Sequence, residues 1–182
     1  IMKVIVPTDF SSLSRVALQY AARFSSQTHS PLILVHNVVL EGLPRAGVLV
    51  NLDEKIESNA QEDLAMLAAD IRSEVTPPPD IFIETTRSHD AVDSILEKAR
   101  NHSAGLIIMG TRGASGLAGT FLGSVSAGVI RKSSLPVLVV PSQASFSGHG
   151  EIYCAVNPAD PPTENSLNQL AEICRALNKL PH

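Results

Sequence analysis

Small residues recur at fixed spacing in the middle of the chain, in a pattern that could bind phosphate. Gly110 is followed by Gly113 and, after nine intervening residues, by the segment GSVS at 123–126. Glycine lets a backbone turn tightly and approach a ligand where a Cβ atom would intrude. An apolar strand is predicted before these glycines at 105–109, and a helix after them at 124–132. A strand, a glycine loop and a helix N-terminus expose backbone N–H groups to an anion, so we predict a phosphate-binding site.

Five short apolar segments alternate with segments of helical periodicity ahead of residue 141. The predicted strands comprise residues 3–7, 32–36, 81–83, 105–109 and 135–140. Between them, apolar residues recur at the spacing of amphipathic helices, and the longest helix ends before three prolines at 77–79. Because parallel neighbours need crossover helices, this order predicts an α/β fold, a doubly wound five-stranded parallel sheet with helices on both faces.

Three residues directly follow predicted strands and therefore fall at one edge of that sheet. They are Asp9, Asn37 and Gly110. Doubly wound sheets bind ligands beyond the carboxyl ends of their strands, at the point where the strand order reverses. The sequence therefore predicts that three loops converge on one site.

The composition favours an α/β protein and argues against several kinds of partner. Of 182 residues, 44% are hydrophobic and 18% charged, against a usual charged fraction of about 25%, which favours elements covered on both faces. The net charge of −4 gives no electrostatic reason to expect nucleic acid or an anionic membrane as a partner. Two cysteines are too few for a disulfide framework, and no secretory signal or membrane-length apolar run is found. We therefore expect a cytoplasmic protein.

The end of the chain repeats the pattern of its beginning. We predict a nucleotide-binding domain at 1–141, a small polar linker at 142–150, and a strand–helix half-unit at 151–182. The half-unit pairs Asp9 with Asn157 when the sequence is shifted along itself. Three explanations remain open: chance similarity of two strand–helix units, a partial second domain, and an arm that docks on the first domain or on a neighbouring molecule. The last two arise because one strand and one helix cannot bury their own apolar faces.

The spacing Gly110-x2-Gly113-x9-Gly123-Ser124 resembles the nucleotide-binding signature of the universal stress protein family. The resemblance extends over residues 2–141 and includes the segment VPTDFS at 6–11, Leu-Val-His on the second strand and LPVLVV at 135–140. It implies a domain that binds adenine nucleotide, with ATP as the typical ligand. Any Mg²⁺ would arrive with the phosphates, because no carboxylate cluster is evident to hold it alone.

The resemblance also implies which residues touch the nucleotide. Asp9 would accept hydrogen bonds from the ribose hydroxyls, and Asn37 would present its backbone to the adenine edge, although apolar residues are common at that position. Met109 would pack against the nucleoside, and the 123–126 segment would hold phosphates through N–H groups and two hydroxyls. The complete predicted set is Pro7, Thr8, Asp9, Asn37, Met109, Gly110, Arg112, Gly113, Gly123, Ser124, Val125 and Ser126.

Structural explanations of the same residues stay open at this point. The glycines could serve a tight loop alone, and Asp9 could cap the following helix. His36 lies near the predicted pocket, where a satisfied strand-end histidine is the simpler interpretation. Gly128 falls inside a predicted helix, at a cost of about 1 kcal/mol relative to alanine, and we attribute it to close packing rather than to function.

Three classes of function fit these observations. The leading hypothesis is a regulatory stress-response protein that changes shape or partner when it binds ATP. The alternatives are a slow ATPase or phosphoryl-transfer enzyme on the same fold, and an interaction module without nucleotide. The last strand is apolar and is expected at a sheet edge, where it could pair with a second copy or with an internal repeat. We therefore expect a homodimer or an internally paired tandem.

Overall fold

The computed structural model describes residues 2–39, 50–111, 122–146, 159 and 161–177. Strands and helices alternate along this part of the chain, as the hydrophobic periodicity predicts. The elements are β1 (Val4–Pro7), α1 (Ser12–Thr28), β2 (Leu32–Val38), α2 (Val50–Glu74), β3 (Ile81–Arg87), α3 (Ala91–Asn101), β4 (Leu106–Gly110), α4 (Ser124–Lys132), β5 (Val137–Val140) and α5 (Glu164–Ala176).

The five strands form one parallel sheet in the order β3-β2-β1-β4-β5. The chain moves outward from β1 through β2 to β3, then crosses to the other side of β1 and continues to β5. The strand order therefore reverses between β1 and β4, and β5 lies at an edge. This topology confirms the predicted doubly wound sheet, and in such sheets ligands bind beyond the ends of the strands where the order reverses, here β1 and β4.

Two hydrophobic cores cover the two faces of the sheet, which confirms that helices lie on both sides. Successive residues of β4 alternate between them: Leu106 and Ile108 belong to the core under α1 and α2, Ile107 and Met109 to the core under α3 and α4. Each is at most 4% exposed. A fully buried side chain of this size contributes about 1.5–3 kcal/mol, so the central strands are the rigid base from which the site loops project.

Helices α3 and α4 approach each other closely at Gly128. A Cβ atom built on Gly128 would lie 2.7 Å from Cγ2 of Val92 on α3, well inside van der Waals contact. The contact explains a glycine in the middle of α4 and confirms the packing role predicted for it.

The chain after β5 returns over the face covered by α1. Phe146 lies edge-on against Tyr20 and Phe24, with ring centroids 5.1 and 6.1 Å apart. On α5, Ile173 packs against the same core and Cys174 is 2% exposed. The predicted strand of the half-unit, with Cys154 and Asn157, lies outside the described residues, so the division into domain, linker and partial repeat stays a prediction.

Candidate functional site

The described members of the predicted site lie at the carboxyl edge of the sheet, but two of the three residues predicted to follow strands lie on them instead. Asn37 belongs to β2, where it pairs with Thr86 of β3, and Gly110 is the last residue of β4, where it pairs with Val140. The neighbouring strands extend far enough to continue each ladder, so β2 and β4 end later than their apolar patterns indicate. Asp9 follows β1, as predicted.

The turn after β1 is fixed by hydrogen bonds to Thr8. Its N–H donates to Val35 O at 2.9 Å, and its buried hydroxyl pairs with Ser14 Oγ at 3.0 Å. The same hydroxyl oxygen accepts from Phe10 N at 3.1 Å. Phe10 has φ of 61°, a left-handed conformation that is uncommon for a residue with a side chain. The hydrogen bonds to Thr8 therefore hold a turn that the sequence of the loop alone would not favour.

Asp9 is exposed at the tip of this turn, and it is not the capping residue of α1. Its Oδ1 accepts from Ser11 N at 3.1 Å, whereas Ser11 is the N-cap, with its Oγ accepting from Ser14 N at 3.2 Å. The bond to Ser11 orients the Asp9 side chain, and a carboxylate offers about four acceptor positions in all. This geometry is compatible with a carboxylate that binds vicinal hydroxyls.

Phe10 and His36 form an aromatic pair beside Asp9, with ring centroids 4.5 Å apart and planes tilted by 43°. His36 Nδ1 lies 2.8 Å from Thr8 O. Because a carbonyl oxygen only accepts, Nδ1 carries the proton, and His36 is a satisfied strand-end histidine, as predicted. Phe10 is 39% exposed. The Phe10 side chain supplies an apolar surface beside His36. The sequence analysis did not select Phe10, although this residue lies within the VPTDFS segment.

Asn37 is held by its side chain as well as by its strand. Its Nδ2 donates to Ser88 O at 2.9 Å, and its Oδ1 accepts from Thr86 Oγ1 at 2.8 Å. Thr86 Oγ1 in turn lies 2.5 Å from Ser94 Oγ, which is buried in α3. The series connects β2, β3 and α3 at the carboxyl edge. The sequence analysis did not select Thr86, Ser88 or Ser94 for this connection.

The N-terminus of α4 carries hydrogen-bonding capacity that the described protein atoms do not use. Gly123 is the N-cap and makes no side-chain capping bond. Among the described residues, no acceptor lies on the backbone N–H groups of Ser124, Val125 and Ser126. Ser124 and Val125 are exposed. Orphan N–H groups at the positive end of a helix are the arrangement that binds phosphate.

Other groups in this segment are already engaged. The Gly123 N–H donates to Thr111 O at 2.7 Å. The hydroxyl of Ser126 donates to Gly110 O at 2.8 Å, and Ser126 is 4% exposed. Of the two hydroxyls predicted to hold phosphate, only that of Ser124 is exposed, while Ser126 anchors α4 to the end of β4. This difference arises because Ser126 lies on the inward face of α4.

The remaining predicted residues have unequal positions. Pro7 is partly exposed at the end of β1. Met109 is 4% exposed and packs in the core under α3 and α4, so its side chain supports the site from beneath, and contact with a nucleoside stays a prediction. Arg112 and Gly113 lie outside the described residues.

Acidic groups near the site are engaged with helix ends rather than gathered into a metal centre. Asp90 caps α3, and the backbone N–H groups of Asp93 and Val92 lower its pKa. In the described part of the chain, no three His, Cys, Asp or Glu side chains lie together as they would to bind a metal ion. Nor is any helix there long and apolar enough to cross a membrane.

The fold and site together define a doubly wound α/β protein with an uncapped helix N-terminus beside its strand-order reversal. The Universal stress protein family profile matches residues 1–141, and this chain belongs to that family. Universal stress protein MJ0531 of Methanocaldococcus jannaschii is 30% identical over 142 residues, which cover 76% of this chain and 81% of that relative. Universal stress protein MJ0577 of the same organism is 26% identical over 160 residues, 79% of this chain and 96% of its own length.

A solved structure extends the comparison to a bound ligand. The crystal structure of a universal stress protein in complex with cAMP has a TM-score of 0.57 and 25% sequence identity to this chain. It covers 78% of this chain and 98% of its own. The shared sheet confirms the fold predicted from the sequence, and the cAMP is a property of that protein.

Proposed function

We propose that this protein binds ATP at the carboxyl edge of its sheet and acts as a cytoplasmic stress-response regulator whose shape or partners depend on the bound nucleotide. The observation that carries the proposal is the α4 N-terminus, where three backbone N–H groups have no acceptor among the described residues. Family membership and the cAMP complex of a similar protein support an adenine nucleotide as the ligand.

The strand order supports one orientation of the nucleotide across the site. Phosphates would bind at α4, beyond β4, and the sugar would meet Asp9, beyond β1. The base would then lie over the end of β2, beside Phe10 and Val39, which are 39% and 46% exposed. Neighbouring strands lie about 4.8 Å apart, so the distance from β4 to β2 is about 10 Å, a length that an extended nucleotide can span.

The predicted affinity is moderate because the phosphate contacts are mostly neutral. The loop sequence contains no lysine at P-loop spacing. Binding would rest on the backbone N–H groups, the Ser124 hydroxyl and Arg112, and we expect a dissociation constant in the micromolar range, about −8 kcal/mol. Mg²⁺ would enter with the phosphates, held by their oxygens and by water.

Titration calorimetry with ATP tests the proposal directly. The wild-type protein should bind ATP in the micromolar range, and Asp9→Asn should weaken binding about tenfold, since it replaces an acceptor for the sugar hydroxyls with a donor. Asp9→Asn retains the oxygen that accepts from Ser11, so stability should change little. Asp63→Asn, on the exposed face of α2, is the matched control. Absence of binding at millimolar ATP would contradict the proposal.

The edge position of β5 supports a second, separable proposal about assembly. β5 has four residues, three of them half-buried, and pairs with β4 on one side only within the described sheet. We propose that its free edge pairs with a second copy of the chain or with an internal repeat. Light scattering over a dilution series should give the mass of a dimer, and a monomeric mass at high concentration would count against pairing between copies.

Turnover distinguishes the regulatory proposal from the enzyme alternative. A regulatory protein should release phosphate from ATP far more slowly than an ordinary enzyme, whose turnover is at least about 1 s⁻¹. A steady-state rate above that value in a phosphate-release assay would favour the ATPase or phosphoryl-transfer hypothesis. ATP binding itself excludes the third alternative, an interaction module without nucleotide.

A further inference from the structure

We propose that Asn37 is a positioning residue for the base of the nucleotide, and that Thr86 and Ser94 set its orientation through a directed chain of hydrogen bonds. The proposal rests on the proposed function, because it assigns a role within that same site. It concerns side chains that do not lie at the phosphate end and that the glycine signature does not include.

The backbone carbonyl of Ser88 determines which group donates and which accepts in the whole series of hydrogen bonds. Ser88 O can only accept, so the Asn37 group 2.9 Å from it is the amide NH₂. Asn37 Oδ1 therefore faces Thr86 and can only accept, which requires the Thr86 hydroxyl to donate at 2.8 Å. With its proton so used, Thr86 Oγ1 must accept from the Ser94 hydroxyl at 2.5 Å. The series runs from Ser94 through Thr86 and Asn37 to Ser88.

These bonds connect three elements at the place where the base is expected. Asn37 pairs with Thr86 across β2 and β3, Ser94 is 4% exposed inside α3, and Ser88 precedes the α3 cap, Asp90. In the proposed binding pose the base lies over the end of β2. The base would thus approach the backbone from Asn37 to Val39. The hydrogen bonds from Asn37 to Thr86 and Ser88 hold that backbone in place.

The Asn37 side chain itself is largely occupied by protein partners. Both of its polar atoms have a hydrogen-bond partner within 3 Å, which favours an indirect role over direct contact with the ligand. Removing the Thr86 hydroxyl should therefore lower ATP affinity as much as removing the Asn37 amide, although Thr86 lies one strand further from the site. A residue that touched the base directly would not show that equivalence.

The test compares ATP with inorganic tripolyphosphate, which carries the phosphates without the base. Dissociation constants are measured by calorimetry, that of tripolyphosphate by displacement of ATP. Asn37→Val and Thr86→Val should each weaken ATP binding about tenfold, about 1.4 kcal/mol, because each breaks the series, and should leave tripolyphosphate binding unchanged. Thr86→Ser retains the hydroxyl and should restore ATP affinity. Ser94→Ala removes only the first hydrogen bond of the series and should weaken ATP binding less.

Thr85→Val is the matched control for strand stability. Thr85 neighbours Thr86, but its hydroxyl donates to Glu57 on α2, the opposite face of the sheet, at 3.2 Å. Thr85→Val should change the affinity for neither ATP nor tripolyphosphate. Thermal unfolding of each variant shows whether it is folded before it is titrated.

Each remaining outcome has a separate meaning. Unchanged ATP affinity in Thr86→Val, in a wild-type background that binds ATP, overturns the positioning role and leaves the proposed function intact. Equal losses for ATP and tripolyphosphate also overturn it, since they show a general disturbance of the site. A loss in Asn37→Val without one in Thr86→Val assigns direct contact instead. Failure of the wild-type protein to bind ATP removes the proposed function and this inference together.

Discussion

The two ends of the candidate site are built by different means. At the β1 and β2 end, side chains hold the backbone: Thr8 fixes the turn at Phe10, and Asn37 is bonded to Thr86 and Ser88. At the α4 end, the N-cap is Gly123, which has no side chain to offer, and the first N–H groups of the helix have no acceptor among the described residues. One end is satisfied without a ligand, and the other end has unmet hydrogen-bonding capacity.

This contrast separates two contributions to binding. Unmet N–H groups at a helix N-terminus gain a partner when an anion arrives, so they contribute binding free energy. Groups that are already bonded gain little, but they fix the geometry into which the ligand fits and so reduce the ordering cost of association. We therefore expect affinity to depend most on the α4 end and selectivity to depend most on the β2 end.

The largest effect is expected from Gly123→Asp, which gives the α4 N-terminus a side chain of its own. The backbone there has φ of −71° and ψ of 160°, an extended conformation that any residue adopts. An aspartate cap would accept from one or two of the free N–H groups and raise the free energy of unfolding by a few tenths of a kcal/mol. The same carboxylate would repel phosphate and occupy its donors, so ATP affinity should fall more than about 100-fold, or about 2.7 kcal/mol.

Gly123→Ala is the control for this prediction. It adds a Cβ atom without an acceptor or a charge, so it should weaken ATP much less than Gly123→Asp and should not stabilise the fold. Urea unfolding and calorimetry on the same samples measure the two quantities. Loss of stability in Gly123→Asp, or retained ATP affinity, would contradict a phosphate site built on uncapped backbone groups.

A second prediction concerns the contact that joins the two ends, Gly128 against Val92. Gly128→Ala should gain helix propensity, worth about 1 kcal/mol, but its Cβ would lie 2.7 Å from Val92 Cγ2. Overpacking of this kind costs about 1–3 kcal/mol, so the net effect on the free energy of unfolding should be destabilising or near zero. The double variant Gly128→Ala with Val92→Ala removes the overlap. Because it keeps the gain in helix propensity, it should be less destabilised than the single variant Val92→Ala.

Urea unfolding of the four proteins in this double-mutant cycle measures the coupling between α3 and α4. A coupling free energy near zero would show that the helices adjust at no cost. ATP affinity measured on the same four proteins shows whether the position of the α4 N-terminus relative to α3 affects phosphate binding.

The sequence was sufficient to predict the elements and their order, because each strand and helix carries its own apolar period. The bounds of α4, Ser124–Lys132, agree with the prediction. β3 was predicted at 81–83 and runs to Arg87. Its last residues are polar, and they form strand because side chains on α2 and α3 provide partners for them, among them Glu57 for Thr85 and Ser94 for Thr86. A local apolar pattern does not contain that information.

The same limit applies to the site. Asp9, Asn37 and the glycines could be selected because they follow strands or match a spaced motif. The partners of Asn37 lie 49 and 51 residues away along the chain, and the pairing of Phe10 with His36 joins the loop after β1 to β2. Contacts between distant segments appear only once the strand order is known.

The smallest predicted effect concerns the attachment of β3 to α3 and its pH dependence. Glu84 on β3 accepts from Lys98 Nζ and His102 Nε2 on α3, each at 2.7 Å. Partial burial raises the pKa of Glu84, but the hydrogen bonds from Lys98 and His102 outweigh burial and leave the pKa below its usual value. The unfolded chain therefore takes up this proton at a higher pH than the folded protein does.

Stability from Glu84 should then be fully present above the ordinary glutamate pKa and should be lost as the pH falls through the lower, folded-state value. For a partly exposed ion pair its size is about 1 kcal/mol or less. Glu84→Gln should reduce the free energy of unfolding at pH 7, and the difference from wild type should shrink as the solution becomes more acidic. Glu97→Gln, exposed on α3, is the control. A difference that stayed constant down to the acid limit of folding would show that packing, rather than charge, connects β3 to α3.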